Sequence, residues 1–126
     1  MNLFDEISAI LQDILDIEGR DITPESYMIR ELGAESIDLL ELSVALNGRL
    51  HVEINDDDIF LKTLRMDMKE AHQQGVEAAT FLAVRFPYLG QERLRGIVAD
   101  IPGGPTLKVR DIVAYLNWQI EKNRGA

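Results

Sequence analysis

The chain contains no cysteine, which excludes disulfide staples, thiolate nucleophiles and cysteine-based metal sites. No apolar run approaches the length of a membrane span. Met1 leads into Asn2-Leu3-Phe4-Asp5-Glu6 and not into a basic segment, so a cytoplasmic protein without stable membrane insertion is expected. Basic charge is scarce where it counts. Residues 1–58 hold 3 basic against 15 acidic side chains, a net of −12, while residues 59–105 carry +1 and 106–126 carry +2, within a total of −9. Such a surface repels nucleic acid and anionic lipid and steers toward basic protein patches. Strand-like alternation, internal repeats and low-complexity stretches are missing as well.

What remains is a chain of 126 residues, 46% hydrophobic and 28% charged, sized for one domain with its own core. Leu3, Phe4, Ile7, Ile10, Leu11, Ile14 and Leu15 recur at helical spacing over 3–17, and Gly19 closes that helix. A long connection over 20–35 contains Pro24 and Gly33, with Ile22, Tyr27, Ile29 and Leu32 available to pin it to a core. The second helix is expected from Ser36 to about Leu50. At about 100° per residue it carries two apolar stripes. Leu39, Leu42, Leu46 and Leu50 form one, and Ile37, Leu40 and Val44 form another nearly opposite, with Asp38 and Glu41 between. A surface helix needs only one apolar face for its own core, so the second is either covered by later residues or left for a partner or cargo.

Asp56-Asp57-Asp58 lacks the spacing and glycine of a calcium loop and reads as an N-cap with first-turn acids. A helix is expected from Asp57 to about Gln73, another over 76–86 stopped by Pro87, a short one over 91–99, a turn at Pro102-Gly103-Gly104-Pro105, and a last helix from Val109 to about Lys122. The last helix would turn Val109, Ile112, Val113, Leu116 and Ile120 inward. The predicted class is all-α.

Within Leu32-Gly33-Ala34-Glu35-Ser36-Ile37-Asp38-Leu39-Leu40-Glu41-Leu42, a turn delivers one serine to a helix N-terminus. Unpaired N–H groups and a partial positive charge there favour a phosphate, by a few tenths to about 1 kcal/mol. The same serine could instead be a plain N-cap, worth about 1 kcal/mol. Together with Glu53-Ile54 and Val109-Arg110-Asp111-Ile112-Val113-Ala114-Tyr115-Leu116, the segment resembles acyl carrier proteins. The resemblance covers 1–58 and about 106–122. It implies a four-helix bundle with additional inserted helices before the last one, a single carrier domain over 1–126 and an insertion at about 60–105.

It further implies 4′-phosphopantetheine attached covalently at Ser36, with an acyl chain held as a thioester on its thiol. The implied partners are a phosphopantetheinyl transferase and acyl-loading and acyl-transferring enzymes with basic docking patches. Glu35, Ile37, Asp38, Leu40, Glu41 and Val44 are the expected docking residues, and a monomer is expected. The serine context is Glu-Ser-Ile where Asp-Ser-Leu is usual, and Asn47-Gly48-Arg49 replaces the family's further acids. The pathway stays open among fatty acids, specialised lipids and secondary metabolites.

No conventional active site emerges. His51 and His72 lack a ligand pattern, and Ser8, Ser26 and Ser43 lack a histidine partner or a nucleophile elbow. Gly103-Gly104 lacks the lysine of a phosphate loop. The expectation is a carrier with no catalytic residues and no metal. An unmodified interaction module and a carrier of aminoacyl or other non-fatty groups are the alternatives. The insert, rich in apolar residues from Phe60 to Val98, is expected to fold beside the second helix, capping the acyl-binding interior or offering a docking surface.

Overall fold

A computed structural model describes residues 2–125. Seven α-helices follow one another: α1 (Leu3–Leu15), α2 (Ser36–Leu50), α3 (Asp56–Ile59), α4 (Leu64–Gln73), α5 (Ala78–Arg85), α6 (Gln91–Asp100) and α7 (Val109–Gly125). The all-α expectation holds. Among the described residues the only extended pairing is an isolated antiparallel bridge between Tyr27 and Lys108.

Each boundary has a local cause. Asn2 caps α1 by accepting the Asp5 N–H at 3.3 Å, and Asp16 ends it in the left-handed region, earlier than the expected stop at Gly19. The single helix expected from Asp57 to Gln73 is broken. Leu61 sits at φ 56°, a left-handed kink that separates α3 from α4. The cap of α3 is Asn55, whose side chain accepts the Asp58 N–H at 3.1 Å. The three aspartates therefore fill the first turn, where the helix dipole favours them.

One core unites the chain. Ile7, Leu42, Leu46, Ile59, Leu82, Leu94, Ile97, Ile112 and Leu116 are fully buried members of the same apolar cluster. α1 packs on α2 and α7, and α3 packs on α7, while α4, α5 and α6 pack in succession on one another. The long loop is pinned by Ile22 and Met28. Ile29, expected inside, is 38% exposed.

The insert does not fold over α2. It is anchored to α7, α3 and the long loop by polar and aromatic contacts that its apolar content did not announce. Arg93 grips Asp111 with two 2.7 Å hydrogen bonds, and Asp111 also accepts the Lys108 N–H at the start of α7. Arg85 pairs with Asp58 at 2.5 Å. The Tyr88 hydroxyl donates to the Asp58 carbonyl, and its ring meets Tyr115 and Trp118 at centroid separations of 5.2 and 5.5 Å. At the end of α6, Asp100 accepts the Tyr27 hydroxyl at 2.5 Å and Arg30 Nη1 at 3.1 Å. Arg30 Nη2 also donates to the carbonyls of Asp100 and Gly104. A Cβ at Gly103 would lie 3.1 Å from that guanidinium, so a side chain there would crowd the latch. The two hydrogen bonds hold the Asp100 carboxyl below the usual aspartate range, and the same contact raises the Tyr27 hydroxyl.

Candidate functional site

Ser36 opens α2 as its first helical residue and is exposed. The turn before it is built by backbone geometry. Gly33 adopts φ 72°, its N–H donates to the Ile29 carbonyl at 3.2 Å, and Ala34 donates to Met28 at 3.0 Å. Glu35 occupies the N-cap position. Asp38, on the first turn, accepts the Glu35 N–H at 2.8 Å. Capping is thus supplied by Asp38, and Ser36 takes no part in it. That separates two roles that were indistinguishable in the sequence: the plain N-cap reading of Ser36 does not apply.

The residues around Ser36 divide cleanly. Leu39, Leu42 and Leu46 are buried, and Leu50 is half-buried. Ile37, Leu40 and Val44 are 56%, 51% and 65% exposed, with Glu35 and Glu41 exposed beside them. The second stripe is therefore left open. Leu40, Glu41, Val44 and Ala45 also form one wall of an apolar groove of about 500 Å³ whose other wall is Ile10, Asp13 and Ile14 of α1. All three basic residues of the first 58 are engaged by carboxylates: Arg20 by Glu18, Arg30 by Asp100 and Arg49 by Glu6. The acids around the serine thus present an uncompensated negative face.

The other sequence candidates lie elsewhere. Ser43 is buried and donates to Asp56 at 2.6 Å, Ser8 accepts from Gln12, and Ser26 accepts the Thr23 N–H. Each hydroxyl is held in a structural contact. His51 ends α2 in the left-handed conformation and His72 is exposed on α4. No group of three or more His, Cys, Asp or Glu side chains able to hold a metal occurs among the described residues. Sequence reasoning missed Arg30 and Asp100, separated by 70 residues; the scarcity of basic residues in the acidic half was the only available hint.

Comparison with known proteins bears directly on this geometry. The family model described as "Phosphopantetheine attachment site" matches residues 5–66. Acyl carrier protein from Helicobacter pylori (strain J99) is 37% identical over 57 residues, covering 45% of this chain and 73% of that relative. The chain belongs to the acyl carrier protein family. Acyl carrier proteins from Nitratidesulfovibrio vulgaris and Clostridium perfringens (strain SM101) are 38% and 43% identical over 58 and 56 residues. They cover 46% and 44% of this chain, and 76% and 74% of their own lengths. No solved structure matches.

Membership makes the protein a phosphopantetheine-dependent carrier of acyl groups and not a catalyst. It also implies dealings with phosphopantetheinyl transferases and acyl-transferring enzymes in general. The extra helices set this carrier apart from the usual family architecture. Among the described residues, no helix is long and apolar enough to cross a membrane. The chemistry at Ser36 fits the family's prosthetic group: a primary hydroxyl, open to solvent, at a helix start where N–H groups lack intrahelical acceptors.

Proposed function

We propose that Ser36 carries 4′-phosphopantetheine through a phosphodiester, and that this protein presents acyl groups to biosynthetic enzymes of fatty acids, specialised lipids or secondary metabolites in the cytoplasm. The observation that supports it best is the exposed Ser36 hydroxyl at the start of α2, relieved of capping by Asp38. Once bound, the group supplies the thiol on which an acyl chain is held as a thioester. This chain has no thiol of its own.

The protein's own residues position and advertise that site. The first-turn N–H groups of α2 favour the phosphate, while Glu35 and Glu41 repel it and so serve recognition by basic partners. Ile37, Leu40 and Val44 supply the apolar centre of the docking face, ringed by those acids. Asp38 serves twice, as a cap and as part of the acidic rim. Tethering raises the effective concentration of a cargo at each partner without any catalytic group in the carrier.

Intact mass after incubation with coenzyme A and a broad-range phosphopantetheinyl transferase tests the proposal. The wild type should gain one phosphopantetheine, and Ser36→Ala, with an unchanged fold by circular dichroism, should gain none. A wild type that gains nothing would make the protein an unmodified docking module using the open face of α2.

A further inference from the structure

We propose that the exposed basic face of α4 docks on the open α2 stripe of a second copy of this chain. The contact does not depend on attachment at Ser36. It gives the insert a surface role that α2 alone does not have.

Helical spacing places the charge. Arg65, Lys69 and His72 follow the i, i+4, i+7 pattern that puts side chains on one stripe of α4, and Lys62 precedes them in the turn. Each of these residues is exposed. Lys62, Arg65 and Lys69 make no ion pair among the described residues, whereas the cations of residues 1–58 are all engaged by carboxylates. Met66, 72% exposed, stands beside the stripe. Of the acids on α4, Asp67 is held by Thr63 and Arg85, and Glu70 lies past Met66 and accepts from Gln74. The face is cationic with an apolar residue at its margin.

α2 offers the complement. Ile37, Leu40 and Val44 form an apolar centre, and Glu35 and Glu41 beside them are exposed and make no ion pair among the described residues. Such a surface is matched by cations set beside an apolar side chain, and α4 carries both. The chain's own α4 does not cover the stripe, which stays more than half exposed in the folded protein. The match is met between copies.

Charge complementarity also favours this occupant over a lipid surface. An anionic membrane is repelled by the net −12 of residues 1–58, while a second copy presents its acids around an apolar stripe that receives Met66. Two different patches meet, so the contact is heterologous. The net charge of −9 on each copy opposes approach at long range, so the contact belongs to concentrated protein and the expected monomer is the dilute state. Docked in this way, α4 covers Ile37, next to Ser36, and competes with other partners for α2.

Sedimentation velocity over a concentration series, with methyl spectra of the same samples, tests this on the unmodified full chain. The wild-type sedimentation coefficient should rise with concentration, and the methyl signals of Ile37, Leu40, Val44 and Met66 should shift with it. Lys62→Glu/Arg65→Glu/Lys69→Glu and Glu41→Lys/Val44→Lys change only exposed positions and should keep the wild-type circular dichroism. Each alone should stay monomeric. Mixed in equal amounts they should associate again, because the first keeps an intact α2 stripe and the second an intact α4 face. The Ile37 signal should then move only in the first variant and the Met66 signal only in the second. A monomeric wild type, association that persists in either variant alone, or a mixture that stays monomeric would overturn the proposal. A monomeric wild type whose Met66 signal shifts with vesicles of anionic phospholipid would give the face to a membrane instead. Mass gain at Ser36 is untouched by any of these outcomes, so the carrier reading stands or falls separately.

Discussion

On α2, Ile37, Leu40 and Val44 stand more than half exposed, whereas on α5 and α6, Leu82, Leu94 and Ile97 are fully buried. These residues of the insert join the core that Leu42 and Leu46 of α2 also enter, yet the second stripe of α2 stays outside it. The anchors of the insert explain the difference. The Arg93–Asp111, Arg85–Asp58 and Arg30–Asp100 pairs hold it on α7, α3 and the long loop, so α2 keeps an uncovered face. A family member can thus acquire extra helices without covering the exposed stripe of α2.

Breaking the anchor should have the largest effect. Asp111 is fully buried, so Arg93→Met would strand its carboxylate and cost about 3–5 kcal/mol in denaturant unfolding. Leu82→Ala should cost about 2–5 kcal/mol by opening a cavity in the insert, again read from the unfolding midpoint. Leu40→Ala sharpens the contrast from the other side. Stability should change by no more than about 0.5 kcal/mol, while the rate of mass gain with a phosphopantetheinyl transferase falls about tenfold.

Asp38→Ala should remove a cap worth about 1 kcal/mol, in contrast to Ser36→Ala, which should stay within about 0.5 kcal/mol. Equal losses from the two variants would mean that the serine does share the capping. The smallest effect is acid sensitivity. Tyr27 and Arg30 depress the Asp100 pKa, so the native state binds fewer protons than the unfolded chain in the acid range. The latch therefore stabilises the fold above the ordinary aspartate range and loses its contribution as pH falls through the depressed value. Thermal midpoints should decline less steeply with acid in Asp100→Asn than in the wild type.

Much of this was legible in the residues. The bounds of α2, its two stripes and the burial of Leu42, Leu46, Ile112 and Leu116 follow the helical period, because the period alone decides which side chains share a face. The α3–α4 break was not legible: no glycine or proline marks it, and Leu61 enters the left-handed region within a kink whose apolar side chains are buried by distant parts of the chain. Tyr115 shows the same limit. It falls on the predicted terminal helix, but its role as hydrogen-bond acceptor for the Asn55 N–H and as an aromatic neighbour of Tyr88 depends on where α3 and α5 lie. Met66 and Val84, apolar residues of the insert, are 72% and 83% exposed.

Local chemistry was enough to choose the helices, place a serine at a helix start and segregate negative charge in the first half, since each depends on neighbours within a turn or two. Which apolar stripe of α2 would stay open, and that Asp38 would free Ser36 from capping, emerged only once the chain was folded. Pairs such as Arg30 with Asp100 join residues 70 positions apart, and no local pattern encodes which distant carboxylate a given cation will meet.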